Sequence, residues 1–173
     1  MSCYFCNKDN LEDRIFYDKH NWFAFLAAPY HIKGHIILAA NSISGCPDGI
    51  TKLHDYCWDK LGLAMKEVSE IILEYYKPDD VLYSSVRGDN KHFHFHLFPF
   101  LEIKAEEWRK ERRYDTGHLL EFLGHLEHLG DDFWKRERNL KEWRDEKQRD
   151  EIKKLLEPQV RALRKITGYK HFK

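Results

Sequence analysis

The stretch HFHFHLFPF, residues 92–100, alternates histidines with large apolar residues. Successive side chains of a β-strand point to opposite faces, so this alternation predicts one strand with two different faces. One face carries His92, His94 and His96, about 6.6 Å apart at a rise of about 3.3 Å per residue. The other face carries only large apolar side chains, which we expect to pack against a helix: Phe93, Phe95 and Leu97.

A row of imidazoles in register supports two chemistries. Several histidines of one strand can bind a zinc or iron ion. Alternatively, one neutral ring can attack phosphorus and become covalently modified, while its neighbours stabilise the negative charge that develops. Clustering lowers the imidazole pKa values, because each proton opposes the next, and so favours neutral rings at pH 7. A third interpretation is a histidine-rich edge strand without chemical function.

The composition of the chain fits one domain, or one domain with an extension, since it has 173 residues and 42% apolar residues. The formal net charge is +0, so bulk charge does not favour binding to nucleic acid. No apolar run approaches the roughly 20 residues that span a bilayer. The start of the chain lacks the features of a signal peptide, and we expect a cytoplasmic protein. In that compartment its 4 cysteines are expected to be thiols or metal ligands rather than disulfides.

The first 103 residues predict an α+β domain. Short apolar runs predict strands, and one long stretch with apolar residues at helical spacing predicts an amphipathic helix. The strands are expected at residues 14–18, 22–28, 34–40, 81–86 and 92–101, and the helix at residues 51–76. This order predicts an antiparallel sheet of about five strands with one long helix.

Residues 104–173 have a different character and predict a second unit, a charged helical extension of the domain in residues 1–103. Helices are expected at residues 105–113, 116–129 and 131–156, and a last helix is expected to restart at Pro158 and to run over residues 158–167. Three tryptophans in this part are expected to pack on the domain or on a second copy of the chain: Trp108, Trp134 and Trp143. A nucleic-acid surface is the alternative, but the interspersed acidic residues argue against it.

The spacing of the histidines resembles the signature of the histidine-triad (HIT) superfamily, His-φ-His-φ-His-φ-φ, in which φ is apolar. Two upstream stretches agree with it. The stretch GHIIL at residues 34–38 resembles the glycine–histidine strand of the family, and WFAFL at residues 22–26 resembles the strand before it. The resemblance covers roughly residues 3–101. It implies the HIT fold and a homodimer formed through the long helix and the sheet edge.

The resemblance also implies a mechanism. The middle histidine of the family motif corresponds to His94, which would attack the α-phosphorus of a nucleotide conjugate and form a nucleotidyl-histidine. His96 would lie by the non-bridging phosphate oxygens, and His35 would support the site from the neighbouring strand. Residues that contact the substrate are expected just before and at the start of the triad: Asp89, Asn90 and His92. The implied activity is that of a hydrolase or nucleotidyltransferase.

The chain departs from the family near Ala27, where members often carry an aspartate that binds the ribose hydroxyls. This departure supports an alternative, a HIT-fold nucleotide-binding or regulatory protein that has lost catalysis. An enzyme that uses the histidine row itself as a metal site is a further alternative.

The pair Cys3 and Cys6 forms a C-x2-C motif, which is the spacing of half a zinc site. Several zinc-bearing HIT relatives begin in this way. The resemblance implies that the first histidine of the triad, His92, is a third ligand and that the fourth lies shortly before the long helix, where Cys46 stands. His54 and His31 are alternatives for this fourth place. The expected cofactor is therefore a structural zinc ion.

Overall fold

A computed structural model of the chain describes residues 3–27, 34–42, 45–85, 91–100 and 146–170. It contains a five-stranded antiparallel sheet in the order β1-β2-β3-β5-β4. The strands are β1 (Ile15–Lys19), β2 (Trp22–Leu26), β3 (Ile36–Ala40), β4 (Asp80–Ser84) and β5 (His94–Phe100). The helices are α1 (Asp55–Tyr76) and α2 (Glu146–Thr167). The predicted α+β class, the five strands and the long helix are confirmed.

Local signals explain where these elements begin and end. His20 and Asn21 both have positive φ angles, 58° and 61°, as the two-residue turn of a tight hairpin requires. Helix α1 begins four residues later than expected, because the ring of His54 accepts a hydrogen bond from the backbone N–H of Tyr56 and caps the helix there. The helix ends as expected before Pro78, with Lys77 in the left-handed conformation.

The two faces of β5 have the different environments that its alternation predicts. Leu97 is buried in the main core, which lies between the sheet and α1, and the partly buried Phe93 and Phe95 pack against this core. Trp22 is fully buried in this core, and its indole N–H donates to the backbone oxygen of Cys57 at 2.9 Å. The apolar face of β5 therefore fixes the strand against the helix.

The opposite face of the sheet has a smaller apolar cluster of its own, built by the amino-terminal segment. Residues 3–14 cross this face and bury Phe5 and Leu11 against Phe23 and Phe25 of β2. The histidines of β5 lie beside this cluster. Residues 3–14 thus cover part of the sheet face on which the histidine row lies.

Helix α2 lies along β1, at the edge of the sheet. Its Arg164 donates to the backbone oxygen of Ile15 at 2.7 Å, and Thr167 donates to the backbone oxygen of Phe16 at 2.7 Å. Its apolar side chains enter the main core: Leu156, Val160 and Leu163. The helix therefore covers an edge strand that would otherwise offer unpaired backbone groups to other chains.

The expected restart of the helix at Pro158 is wrong, because α2 runs through this residue without a break. A proline removes one backbone hydrogen bond, a loss that water compensates where the ring is exposed, as it is here. The buried residues Leu156 and Val160 lie on either side of Pro158 and anchor both halves of the helix in the same core.

The other helices and the three tryptophans expected in residues 104–145 lie outside the described residues, and the division of the chain after residue 103 stays a prediction. In the ranges that the structure describes, no helix combines the length and the apolar content that a bilayer span needs.

Truncating Leu163 tests whether α2 belongs to the core. Leu163 is fully buried, so we expect Leu163→Ala to lower the free energy of unfolding by about 2–5 kcal/mol. Arg161→Ala, at an exposed position two residues earlier, is the matched control and should change it by less than about 0.5 kcal/mol. Urea unfolding followed by circular dichroism measures both. Equal effects of the two substitutions would contradict the packing of α2.

Candidate functional site

The histidine site lies where β5 meets β3. In the register of these strands His94 lies opposite Ala39, and His96 lies opposite Ile37. His35, just before β3, reaches the same place, and its ring stacks on that of His96 with centroids 5.1 Å apart. The ring of Phe98 stacks on His35 at 4.4 Å and closes this end of the row. Strand register therefore brings together the three histidines that were predicted to be catalytic.

A backbone carbonyl fixes the tautomer of His94. Its Nδ1 lies 2.6 Å from the backbone oxygen of His92, which can only accept, so Nδ1 carries a proton and donates. Nε2 of the neutral ring is then left with its lone pair. This is the nitrogen that could act as a nucleophile.

The tautomers of the other two rings follow from this one. Nε2 of His96 lies 3.1 Å from Nε2 of His94 and must donate to its lone pair. Nδ1 of neutral His96 is then an acceptor, and Nε2 of His35, 2.9 Å away, donates to it. The three rings form a directed relay, in which His35 donates to His96 and His96 donates to His94. Such a relay can move a proton to or from the neighbourhood of the His94 lone pair.

The pKa values support neutral rings. Burial, followed by the nearby charge of a protonated His94, lowers the pKa of His96 from 6.5 to about 3. Burial also lowers the pKa of His94, against the hydrogen bond to the His92 carbonyl. The direction agrees with the expectation from clustering, but the main cause is burial rather than mutual repulsion.

A second group lies at the beginning of the row. The Nδ1 atom of His92 is 3.5, 3.4 and 3.6 Å from the sulfur atoms of Cys3, Cys6 and Cys46. All four ligand atoms lie within 4.8 Å of one another. A tetrahedral ion with bonds of about 2.3 Å to sulfur and about 2.0–2.1 Å to nitrogen needs sulfur–nitrogen separations of about 3.6 Å. The group is therefore positioned to bind a metal ion.

The surroundings of the group agree with this geometry. His92 is buried, and its Nε2–H donates to the backbone oxygen of Ala40 at 2.7 Å, which leaves the lone pair of Nδ1 directed at the sulfurs. Burial, followed by the thiols of Cys3 and Cys6, raises the pKa of Cys46 to about 12. Three thiolates this close to one another need a cation to balance their charge.

Two features of the site escaped the sequence analysis. The backbone oxygens of Ala40 and His92 set the ring tautomers, and sequence carries no signal for them. The ring of Phe5 meets that of His94 edge-to-face, with centroids 5.0 Å apart and an interplanar angle of 90°. Phe5 stands between the two cysteines of the C-x2-C motif, and a large apolar residue inside that motif was the available signal.

The remaining candidates are placed as follows. Asp89, Asn90 and His31 lie outside the described residues. His54 caps α1 and is not in the group around His92. Ala27, at the place of the family's ribose-binding aspartate, is 4% exposed.

Comparison with solved structures identifies the fold. The crystal structure of a HIT family protein from Bacillus anthracis matches 58% of this chain and 74% of its own, with a TM-score of 0.51 and 20% identity. The chain has the HIT fold. A HIT family member from Bacillus subtilis matches the same shares, 58% and 74%, with a TM-score of 0.49 and 19% identity. The Caenorhabditis elegans NitFhit protein matches 50% of this chain and 22% of its own, with a TM-score of 0.43 and 22% identity.

The HIT fold predicted from the triad motif is thus confirmed. No protein-family model matches the sequence, and no curated protein matches it.

Removing one thiol tests the metal group. We expect the purified protein to hold one metal ion per chain and Cys46→Ser to lose it, because the ion would keep only three of its four ligands. Cys57→Ala is the matched control, since the fourth cysteine lies in the main core, away from the group. Native mass spectrometry after dialysis against a weak chelator measures the metal content. Full occupancy in Cys46→Ser, or equal loss in Cys57→Ala, would contradict the assignment.

The low pKa of His96 in this HIT fold predicts how stability depends on pH. Between pH 6.5 and about 3 the unfolded chain binds a proton at His96 and the folded chain does not, so acid favours unfolding. Over this range we expect the unfolding free energy of the native protein to fall more steeply with decreasing pH than that of His96→Gln. The difference in slope should stay below about 1.4 kcal/mol per pH unit, the limit for one group.

Denaturant unfolding of both proteins at several pH values measures this difference. The reference is pH 8, where residue 96 is uncharged in both proteins. Parallel pH profiles would show that residue 96 does not titrate differently in the two states.

Proposed function

We propose that the chain is a HIT-type hydrolase or nucleotidyltransferase that acts on the α-phosphate of a nucleotide conjugate. The observation that carries this proposal is the tautomer of His94. Its Nδ1–H is held by the His92 carbonyl, and its Nε2 lone pair points into the histidine relay. A neutral, oriented imidazole with hydrogen-bond donors beside it suits attack on phosphorus. Dinucleoside polyphosphates and nucleoside phosphoramidates are the proposed substrate classes.

In the first step the lone pair of His94 Nε2 attacks the α-phosphorus, and a phosphorus–nitrogen bond forms. The bond from phosphorus to the leaving group breaks, and the leaving group departs with the electron pair and takes up a proton from the relay. In the second step water or phosphate attacks phosphorus and the phosphorus–nitrogen bond breaks. The electron pair returns to Nε2, and the proton of an attacking water passes to the relay.

The relay has a second role in this scheme. In the free protein the Nε2–H of His96 donates to His94 at 3.1 Å. Substrate binding would redirect this donor to a non-bridging phosphate oxygen, which frees the lone pair of His94 for attack. His35 keeps His96 in the required tautomer through the 2.9 Å hydrogen bond to its Nδ1.

We propose that the metal is zinc and that its role is structural. Cys3, Cys6, Cys46 and His92 would hold it, and thiolate-rich tetrahedral sets of this kind favour zinc. Bound there, zinc would tie the amino terminus to β5. Both ring nitrogens of His92 are engaged, with the sulfurs and with Ala40, so we assign His92 to the metal rather than to the substrate.

A homodimer is also proposed, by analogy with the family. Several large apolar side chains on α1 and on the edge strand β4 are exposed and could be buried against a second copy of the chain: Tyr56, Trp58, Leu63, Leu73 and Tyr83.

A second candidate function is that of a nucleotide-binding or regulatory protein that has lost catalysis. The observation that favours it is Ala27, which offers no carboxylate to the ribose hydroxyls. In this alternative no covalent intermediate would form, whether or not a conjugate binds beside the histidine relay.

Trapping the covalent intermediate distinguishes the two. The protein is mixed with a panel of dinucleoside polyphosphates, nucleoside phosphoramidates and nucleotide sugars, and the reaction is stopped at short times in alkaline denaturant, because phosphorus–nitrogen bonds are acid-labile. Intact-mass spectrometry should then find one nucleotide-sized adduct. His94→Asn should abolish both adduct and turnover, while its amide can still donate to the His92 carbonyl and preserve the fold.

His54→Asn is the matched control. His54 caps α1, and asparagine is itself a good cap, so both adduct and turnover should survive. Absence of adduct and turnover across the panel, with or without binding of a conjugate, would favour the second candidate. An adduct that persists in His94→Asn would overturn the assignment of the nucleophile.

A further inference from the structure

Phe5 joins the two groups of the site. It is 6% exposed, and its ring meets two rings of the histidine row edge-to-face, His94 at 5.0 Å and His92 at 5.5 Å between centroids. A third contact of the same kind, to Phe25 of β2, has centroids 5.4 Å apart. Edge-to-face pairs at these distances are favourable and orient both rings. The ring of Phe5 therefore limits the movement of the His94 imidazole.

The position of Phe5 depends in turn on the thiol group. Residues 3–7 belong to neither a helix nor a strand. A turn in which the N–H of Cys6 donates to the oxygen of Cys3 at 3.2 Å holds them, together with the two thiols directed at His92. A metal ion bound to Cys3 and Cys6 would fix this turn and, with it, the backbone of Phe5. Without the ion, the backbone hydrogen bond from Cys6 to Cys3, the hydrogen bond from Arg14 to the hydroxyl of Tyr4 at 2.7 Å and apolar contacts still hold the turn.

We propose that Phe5 is a positioning residue for His94 and that it transmits the occupancy of the metal group to the histidine relay. The ion then acts on the chemistry through the packing of an aromatic ring and has no contact with the substrate. Where Phe5 is in place, the His94 ring is covered on one side and keeps its hydrogen bonds to His92 and His96. Where the turn is loosened, the ring of His94 is open to solvent and less well oriented. The consequence for catalysis rests on the proposed function, whereas the coupling itself does not.

Chemical labelling of His94 tests the coupling without a substrate. Diethyl pyrocarbonate acylates imidazole nitrogens that solvent can reach, and peptide mass spectrometry gives the rate at each histidine, with exposed His54 as the internal reference. We expect Phe5→Leu to keep its metal and to be labelled at His94 about three- to tenfold faster than the native protein, the factor that corresponds to one lost aromatic pair. Tyr4→Leu is the matched control in the same turn, because Tyr4 is 47% exposed and its hydroxyl accepts from Arg14 rather than from the histidine row. It should be labelled at His94 at the native rate.

The metal dependence of the labelling is the decisive comparison. A chelator should accelerate labelling of His94 in the native protein and in Tyr4→Leu, but should cause no further acceleration in Phe5→Leu, where the link is already broken. An equal acceleration in all three proteins would show that the ion acts through His92 and would overturn the proposal. So would a native labelling rate in metal-loaded Phe5→Leu.

If Phe5→Leu loses the metal, Phe5→Met, whose flexible side chain fills a similar volume, replaces it. Loss of the metal in both variants would mean that Phe5 serves only the fold of the metal group, which also overturns the proposal.

Where the native protein turns over a conjugate, Phe5→Leu should lower kcat by the same three- to tenfold factor and leave KM nearly unchanged. Absence of turnover in the native protein would refute the proposed function, and the labelling rates would still decide the role of Phe5.

Discussion

The hydrogen bond from Nδ1 of His94 to the backbone oxygen of His92, 2.6 Å long, sets the chemistry of the site. A carbonyl can only accept, so the proton of this ring has one possible place, and the tautomers of His96 and His35 follow from it. The bond exists because His92 turns out of the strand just before β5 begins, so that its carbonyl faces the ring two residues later. Backbone geometry at one strand end thus determines a sequence of three tautomers.

The same strand end connects the row to the amino terminus. His92 uses one ring nitrogen for the carbonyl of Ala40 and directs the other at three sulfurs, two of which come from the first residues that the structure describes. A metal ion here would close a loop of nearly 90 residues between Cys3 and His92 and so stabilise the folded chain over the unfolded one. Stability and site geometry therefore depend on the same four side chains.

The sequence was sufficient for those parts of the structure that rest on short-range patterns. The alternation in residues 92–100 predicted a strand with a core face and a histidine face, because a β-strand places alternate side chains on opposite faces. The first residue of α1 was not predictable from apolar spacing, since it depends on the side chain of His54 as a cap. The uninterrupted path of α2 through Pro158 was missed for a related reason, because contacts of Leu156 and Val160 with a distant core outweigh a local preference.

The features of the site divide in the same way, into those that short-range sequence patterns predict and those that depend on contacts between distant residues. The C-x2-C motif and the triad could be found by spacing, and Cys46 by resemblance. The contact between Phe5 and His94 spans 89 positions of the chain and leaves no mark in either neighbourhood, so only the folded arrangement reveals it. The relay of His94, His96 and His35 was out of reach as well, because its direction depends on which nitrogen faces a carbonyl.

The burial of the row bears on how a substrate could react there. His94 is 6% exposed, and its lone pair already has a partner in the N–H of His96. Breaking a hydrogen bond between neutral groups costs about 0.5–1.5 kcal/mol when nothing replaces it. An arriving phosphate oxygen does replace it, with a stronger, charge-assisted bond to the same N–H. A ligand without such an oxygen would leave His96 donating to His94 and the lone pair blocked. Under the proposed function, the closed relay would therefore favour ligands with an anionic oxygen, such as a phosphate group, before any contact with a base or a ribose is made.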